Sequence, residues 1–151
     1  MLFKDEDFGF NKIKEELEKL GKMKVIVEID PDKTYSTGEK VEKVAVWMEF
    51  GADEFNVNYP ARPFFRTGFD ANIEKLKKLY EKRVDLIMVG SGTAEALGHE
   101  LGKYMVQKIK AVIETGEFAE LAESTVKRKG SDKPLVDTKA LLTSIKYRIE
   151  W

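Results

Sequence analysis

The chain has 151 residues, 42% of them hydrophobic and 35% charged, with a net charge of −1. That composition fits one globular domain and argues against a nucleic-acid-coating protein or an acidic tail. It contains no cysteine, which excludes disulfides, thiolate metal sites and cysteine catalysis.

Residues 10–20 read as a helix. Phe10, Ile13, Leu17 and Leu20 recur at spacings of three and four, and Gly21 is a natural stop. No run approaches the ~18 apolar residues of a membrane span. The N-terminus "MLFKDEDFGF" carries acids where a signal peptide is basic and then apolar, so a cytoplasmic product is expected. "MKVIVEI" (23–29) alternates Met23, Val25, Val27 and Ile29 on one side, a strand with one buried face. "DPDKTYSTGEK" is a turn-rich loop.

"VEKVAVWMEFGAD" (41–53) fits both helical and alternating spacing. Gly51, a natural C-terminal cap, tips the reading to a helix ending near Phe50. A long helix is expected from about 70 to 88, capped by Thr67 or Asp70, with Phe69, Ile73, Leu76, Tyr80, Val84 and Ile87 as its apolar stripe. "GSGT" (90–93) breaks the chain, and a second long helix runs to Thr115, closed by Gly116. The short connection implies an antiparallel pair. Beyond a basic loop, "VDTKALLTS" reads as a short helix capped by Asp137 or Thr138, and "SIKYRIEW" as a strand. The strands 23–29 and 144–151 are each too exposed alone, so they are expected to pair.

The expected fold is α+β: a single domain, residues 1–151, with a small, mostly antiparallel sheet on two long antiparallel helices. An extended loop at 52–68 forms a long arm. That arm and the basic loop at 127–134 are the expected interaction segments.

Few residues suggest chemistry. His99 is the only histidine, so no zinc site can be built from His and Cys, and its position suits a surface or boundary residue. "KEELEK" and "EKLKKLYEKR" place acids and lysines at helix-surface spacing. "GSGT" lacks the lysine and the spacing of a phosphate loop. Ser91, Ser124, Ser131 and Ser144 have no histidine nearby in sequence. A hydrolase built on His99 and a carboxylate is the weakest reading. "KRKGSDK" (127–133) gathers Lys127, Arg128, Lys129 and Lys133 without interleaved aromatics. It reads as a solvated loop, or as the contact of a small DNA-binding module or of an acidic partner.

"NYPARPFFRTGFD" (58–70) is the oddest stretch. Its prolines push Tyr59 and Arg62 towards extended backbone, giving a stiff arm that enters a helix. Phe64, Phe65 and Phe69 need burial, either in the chain's own core or, with Arg62 and Arg66, against a neighbouring subunit.

Three segments in this order resemble one family. "WMEFGADEFNVNYPARPFFRTGFD", "ALGHELGKYMVQKIKAVIETGEF" and "FAELAESTVKRKGSDKPLVDTKALLTSIKYRIE" are similar to signatures of the bacteriophage virion-morphogenesis proteins of the neck, which include tail-completion and minor tail-component proteins. The likeness covers about 41–150. One departure is Lys139, where the family has glycine after "DT", which suggests an ordinary capped helix start.

The resemblance implies a structural protein with no catalysis, metal or cofactor. Such a protein forms a ring, hexameric in the family, at the head–tail junction, and completes the tail for joining. The implied partners are other copies of the chain, the tail tube or tail terminator, the head-connector proteins and passing DNA, with no membrane. The location is host cytoplasm during assembly and then the virion neck. A tail terminator is the nearest alternative. A ring contact is head to tail and needs two patches per subunit. The expected patches are the arm, with Tyr59, Arg62, Phe64, Phe65 and Arg66, and the basic loop plus the strand ending at Trp151, whose edge is a ready template.

Overall fold

The computed structural model describes residues 6–54, 57–115 and 139–151, with 53, 54 and 57–59 described as backbone. In chain order the described elements are α1 (Phe10–Lys22), β1 (Lys24–Ile29), α2 (Val41–Phe50), β2 (Ala52–Glu54), β3 (Val57–Tyr59), α3 (Phe64–Asp70), α4 (Ile73–Met88), α5 (Ala94–Thr115), α6 (Lys139–Ser144) and β4 (Ile145–Glu150). The protein is α+β.

α5 is the centre of the molecule. β1 and β4 pack on it, as do α1, α3 and α4. β1 and β4 pair antiparallel, with Val25 opposite Ile149, Val27 opposite Tyr147 and Ile29 opposite Ile145. Because side chains alternate across a strand, these six residues share one face. The other face carries Lys24, Glu28, Lys146, Arg148 and Glu150, and Arg148 bridges Glu28 and Glu150 there. A two-stranded sheet is marginal by itself, so its seat on α5 matters. The seat is made by Gly98 and Gly102. A Cβ on Gly102 would lie 2.2 Å from the Tyr147 ring, and one on Gly98 would lie 2.7 Å from Met23 Sδ. Two glycines inside a helix cost about 1 kcal/mol each relative to alanine, and here they let the sheet sit against the helix backbone.

The hydrogen-bond phase of the ladder follows from its end. The Asp30 amide donates to the Ser144 carbonyl at 2.7 Å. Bonded pairs alternate along an antiparallel ladder. Val25, Val27 and Ile29 therefore point their amides and carbonyls away from β4, to an edge that is free among the described residues.

The core joins Val41, Ala45, Phe64, Met105, Ile109, Ile113, Leu141 and Ile145. α2 ends where Gly51 takes a positive φ of 77°.

Several expectations need correction. α1 continues to Lys22, past Gly21, and its Phe10 is exposed rather than on the buried face. The helix expected over 70–88 is α4, which begins at Ile73; Phe69, placed on its stripe, belongs instead to the separate helix α3, and neither Thr67 nor Asp70 caps α4. The loop expected over 52–68 contains the β2–β3 hairpin and the start of α3. α6 begins at Lys139, while Gly116, Asp137 and Thr138 lie outside the described residues.

The N-terminus of α5 is held by a remote carboxylate. The Ala94 amide donates to Glu16 Oε2 at 2.8 Å, and Lys19 Nζ donates to Glu16 Oε1 at 2.8 Å. Lys19 first, and then the Ala94 amide, hold the Glu16 carboxyl below the ordinary glutamate range. A depressed carboxyl stabilises the fold at neutral pH and loses that contribution as pH falls through its folded pKa. At pH 7, Glu16→Gln is expected to lose ~1–2 kcal/mol. The gap from wild type should narrow below the ordinary glutamate range in urea unfolding. A gap unchanged at pH 3 would contradict this role.

Candidate functional site

The most elaborate polar cluster joins α2 to α3. α3 opens after Pro63, which has no side chain to cap it. The missing acceptor comes from Glu49, at the end of α2, which is only 6% exposed. Its Oε2 accepts the Phe65 amide at 2.9 Å, and its Oε1 accepts the Arg66 amide at 3.1 Å. A carboxylate at a helix N-terminus satisfies amides that have no partner within the helix and meets the positive end of the dipole. Arg66 closes the clasp. Its Nε donates to Glu49 Oε1 at 2.9 Å and its Nη2 to the Glu49 carbonyl at 2.9 Å. The guanidinium lies over the Phe50 ring, 5.2 Å from its centroid. One turn earlier, the Met48 carbonyl accepts the Arg62 amide at 2.6 Å. Glu49–Gly51 and Pro60–Arg66, separated in sequence, thus form one unit.

Around this clasp apolar groups reach solvent. Phe50 is 66% exposed, Val46 51% and Phe69 45%. Two adjoining hollows, of about 580 and 440 Å³, share Phe65 and Arg66. The first runs along Val25 and Val27 of β1, with Phe69 and Tyr80 opposite and Met105 in its floor. The second continues past Ile29 to Val46 and Phe50. Exposed aromatics beside an arginine match the make-up of protein interfaces.

Of the residues singled out by sequence, Arg62, Phe64, Phe65 and Arg66 come together here. Phe64 has no exposed surface and is core, stacked at a tilt 5.4 Å from Phe65; it is not available to a neighbour. Phe65 is half-buried between the two hollows. Arg62 is half-buried, its Nε has no hydrogen-bond partner among the described residues, and burial lowers its pKa. The backbone of Tyr59 pairs with Ala52 in the hairpin. Trp151 is exposed and lines a different hollow with Glu95, His99 and Tyr147. Lys127, Arg128, Lys129 and Lys133 lie outside the described residues. Compared with protein families, curated proteins and solved structures, the chain matches none.

His99 is exposed, and its Nδ1 lies 3.0 Å from the Tyr147 hydroxyl. That bond ties the sheet to α5 and is a structural contact. Among the described residues, no three His, Asp or Glu side chains gather as metal ligands would, and no helix is long and apolar enough to cross a membrane.

Sequence reasoning missed Glu49 and Glu16 as caps. Each sits in a helix other than the one it caps, so its partner is invisible to local spacing. It also missed Val46 and Phe50 as surface groups, since their apolar character alone reads as core.

Proposed function

We propose that this chain is a structural virion protein: an oligomeric ring at the head–tail junction that completes the tail and adapts it to the head connector. The observation that carries this reading is the clasp. The two halves of the signature that resembles the neck family are one physical unit around a buried carboxylate. That unit presents Phe50, Arg66 and Phe69 as an apolar and cationic surface for a neighbouring subunit. The other copies of the ring, the tail tube and the connector proteins are its proposed partners.

The test is electron microscopy of the particle that carries the chain, paired with deletion of its gene. Density that fits the chain in the neck, and tails of normal length that join heads poorly on deletion, are expected. Overlong tubes on deletion would instead indicate a tail terminator. Absence of the chain from the neck would overturn the proposal.

A further inference from the structure

The free edge of β1 and the β2–β3 hairpin have complementary unmet needs. Val25, Val27 and Ile29 turn three amides and three carbonyls outward, and no described residue bonds them. An unpaired strand edge is a template for another strand. This edge borders the two joined hollows along its length, and Val27, Phe65 and Phe69 supply apolar walls for the side chains of an added strand. Val46, Phe50 and Arg66 continue the wall past the end of β1. Six residues of β1 span roughly 20 Å, more than the three residues of β3 require.

The hairpin is the other half. β2 and β3 pair with each other, Ala52 opposite Tyr59 and Glu54 opposite Val57. Among the described elements, their main backbone neighbours are each other. A lone two-stranded hairpin is at best marginally stable in water. β2 carries Asp53 and Glu54, whereas β3 reads "VNY" and is uncharged. The groove is apolar along Val25 and Val27 and is flanked by Glu28 and Glu42 at its far end. An uncharged strand suits it, which selects β3.

We infer that β3 of a second copy adds to the free edge of β1 and seats in this groove. The contact is head to tail: each subunit offers a groove and a hairpin, two different patches, and it closes by rotation into a ring. This rests on the oligomeric reading above and names its interface.

The test uses the purified full chain and native mass spectrometry. In Val27→Pro the lost amide points to the free edge, so the β1–β4 ladder keeps its bonds while strand addition is blocked. Phe69→Asp places a charge in the groove wall at an exposed position and serves if the proline variant fails to fold. A third variant replaces 52–59 by a short Gly–Ser turn. The wild-type chain is expected to run as a closed oligomer, and each variant at the mass of one chain. Mixing a groove variant with the hairpin variant should give a 1:1 dimer and nothing larger, because one intact groove meets one intact hairpin. A wild-type monomer at high micromolar concentration, variants with wild-type mass, or a mixture that stays monomeric would each overturn the inference. So would Val27→Pro lowering Tm with no change in mass, since the groove would then hold a segment of its own chain. Oligomers indifferent to all three changes would leave the neck proposal standing, whereas absence from the neck would remove that proposal without touching this contact.

Discussion

Phe64→Ala is expected to cost the subunit ~3–5 kcal/mol, the range for emptying a fully buried aromatic site. Phe64 has no exposed surface and packs with Val41, Ala45 and Ile109 in the main core. A small domain has only ~5–15 kcal/mol in total, so the variant should unfold at a much lower urea concentration. Its neighbours set a graded control. Phe65, half-buried, should lose ~1–2 kcal/mol as alanine, and Phe69, 45% exposed, about 0.5 kcal/mol or less. Equal costs at all three positions would mean that α3 is seated differently from the arrangement described.

Glu49→Ala should be the most damaging polar substitution, at ~3 kcal/mol. It removes the acceptor of two α3 amides and of the Arg66 guanidinium, all charge-assisted. α3 has only seven residues, too few to hold its first turn without that anchor. Arg66→Ala should cost about 1 kcal/mol or less, because the arginine side chain is 57% exposed and Glu49 keeps both amide donors. The double variant should cost little more than Glu49→Ala alone, since the two groups act as one unit. Thermal and urea unfolding of the three proteins checks this. A Glu49→Ala protein within 0.5 kcal/mol of wild type would refute the clasp.

Much of the architecture was legible in the sequence. The alternation at 23–29 and 145–149 marks two strands, and their shared exposure implies that they pair. The periodicity from Ala94 to Ile113 marks α5, and Gly51 marks the end of α2. The break between α3 and α4 was not legible, because "FDANIEKL" has no glycine or proline to signal it. It is made by Asn72. Its amide donates to the Phe69 carbonyl at 3.0 Å, its side chain donates to the Gly68 carbonyl at 2.8 Å, and its Oδ1 accepts from Tyr104. The turn also has a packing cause. A Cβ on Gly68 would lie 3.0 Å from Ile109 Cα, so α3 crosses α5 at close range before α4 departs.

The interaction surface was legible only in part. "PARPFFR" signals apolar groups in need of burial. Which ring enters the core depends on where Glu49 places the first turn of α3, and local composition does not encode that. The free edge of β1 is likewise a property of the ladder's phase, which no single strand reveals.

The pairing of β1 with β4 bears on how the chain is made. Glu28 and Arg148, which meet across the sheet, stand 120 residues apart. At ~5–20 residues per second of synthesis, β1 waits roughly ten seconds for its partner to emerge. Until α5 is made, Val25, Val27 and Ile29 lack the helix they pack on, and after that they still lack the ladder. Formation of the sheet is therefore a late, long-range event, which places this subunit among slower folders than its helix content suggests. The nascent chain offers an aggregation-prone strand until β4 arrives, so its yield in a cell should depend on chaperone supply more than its folded stability would indicate.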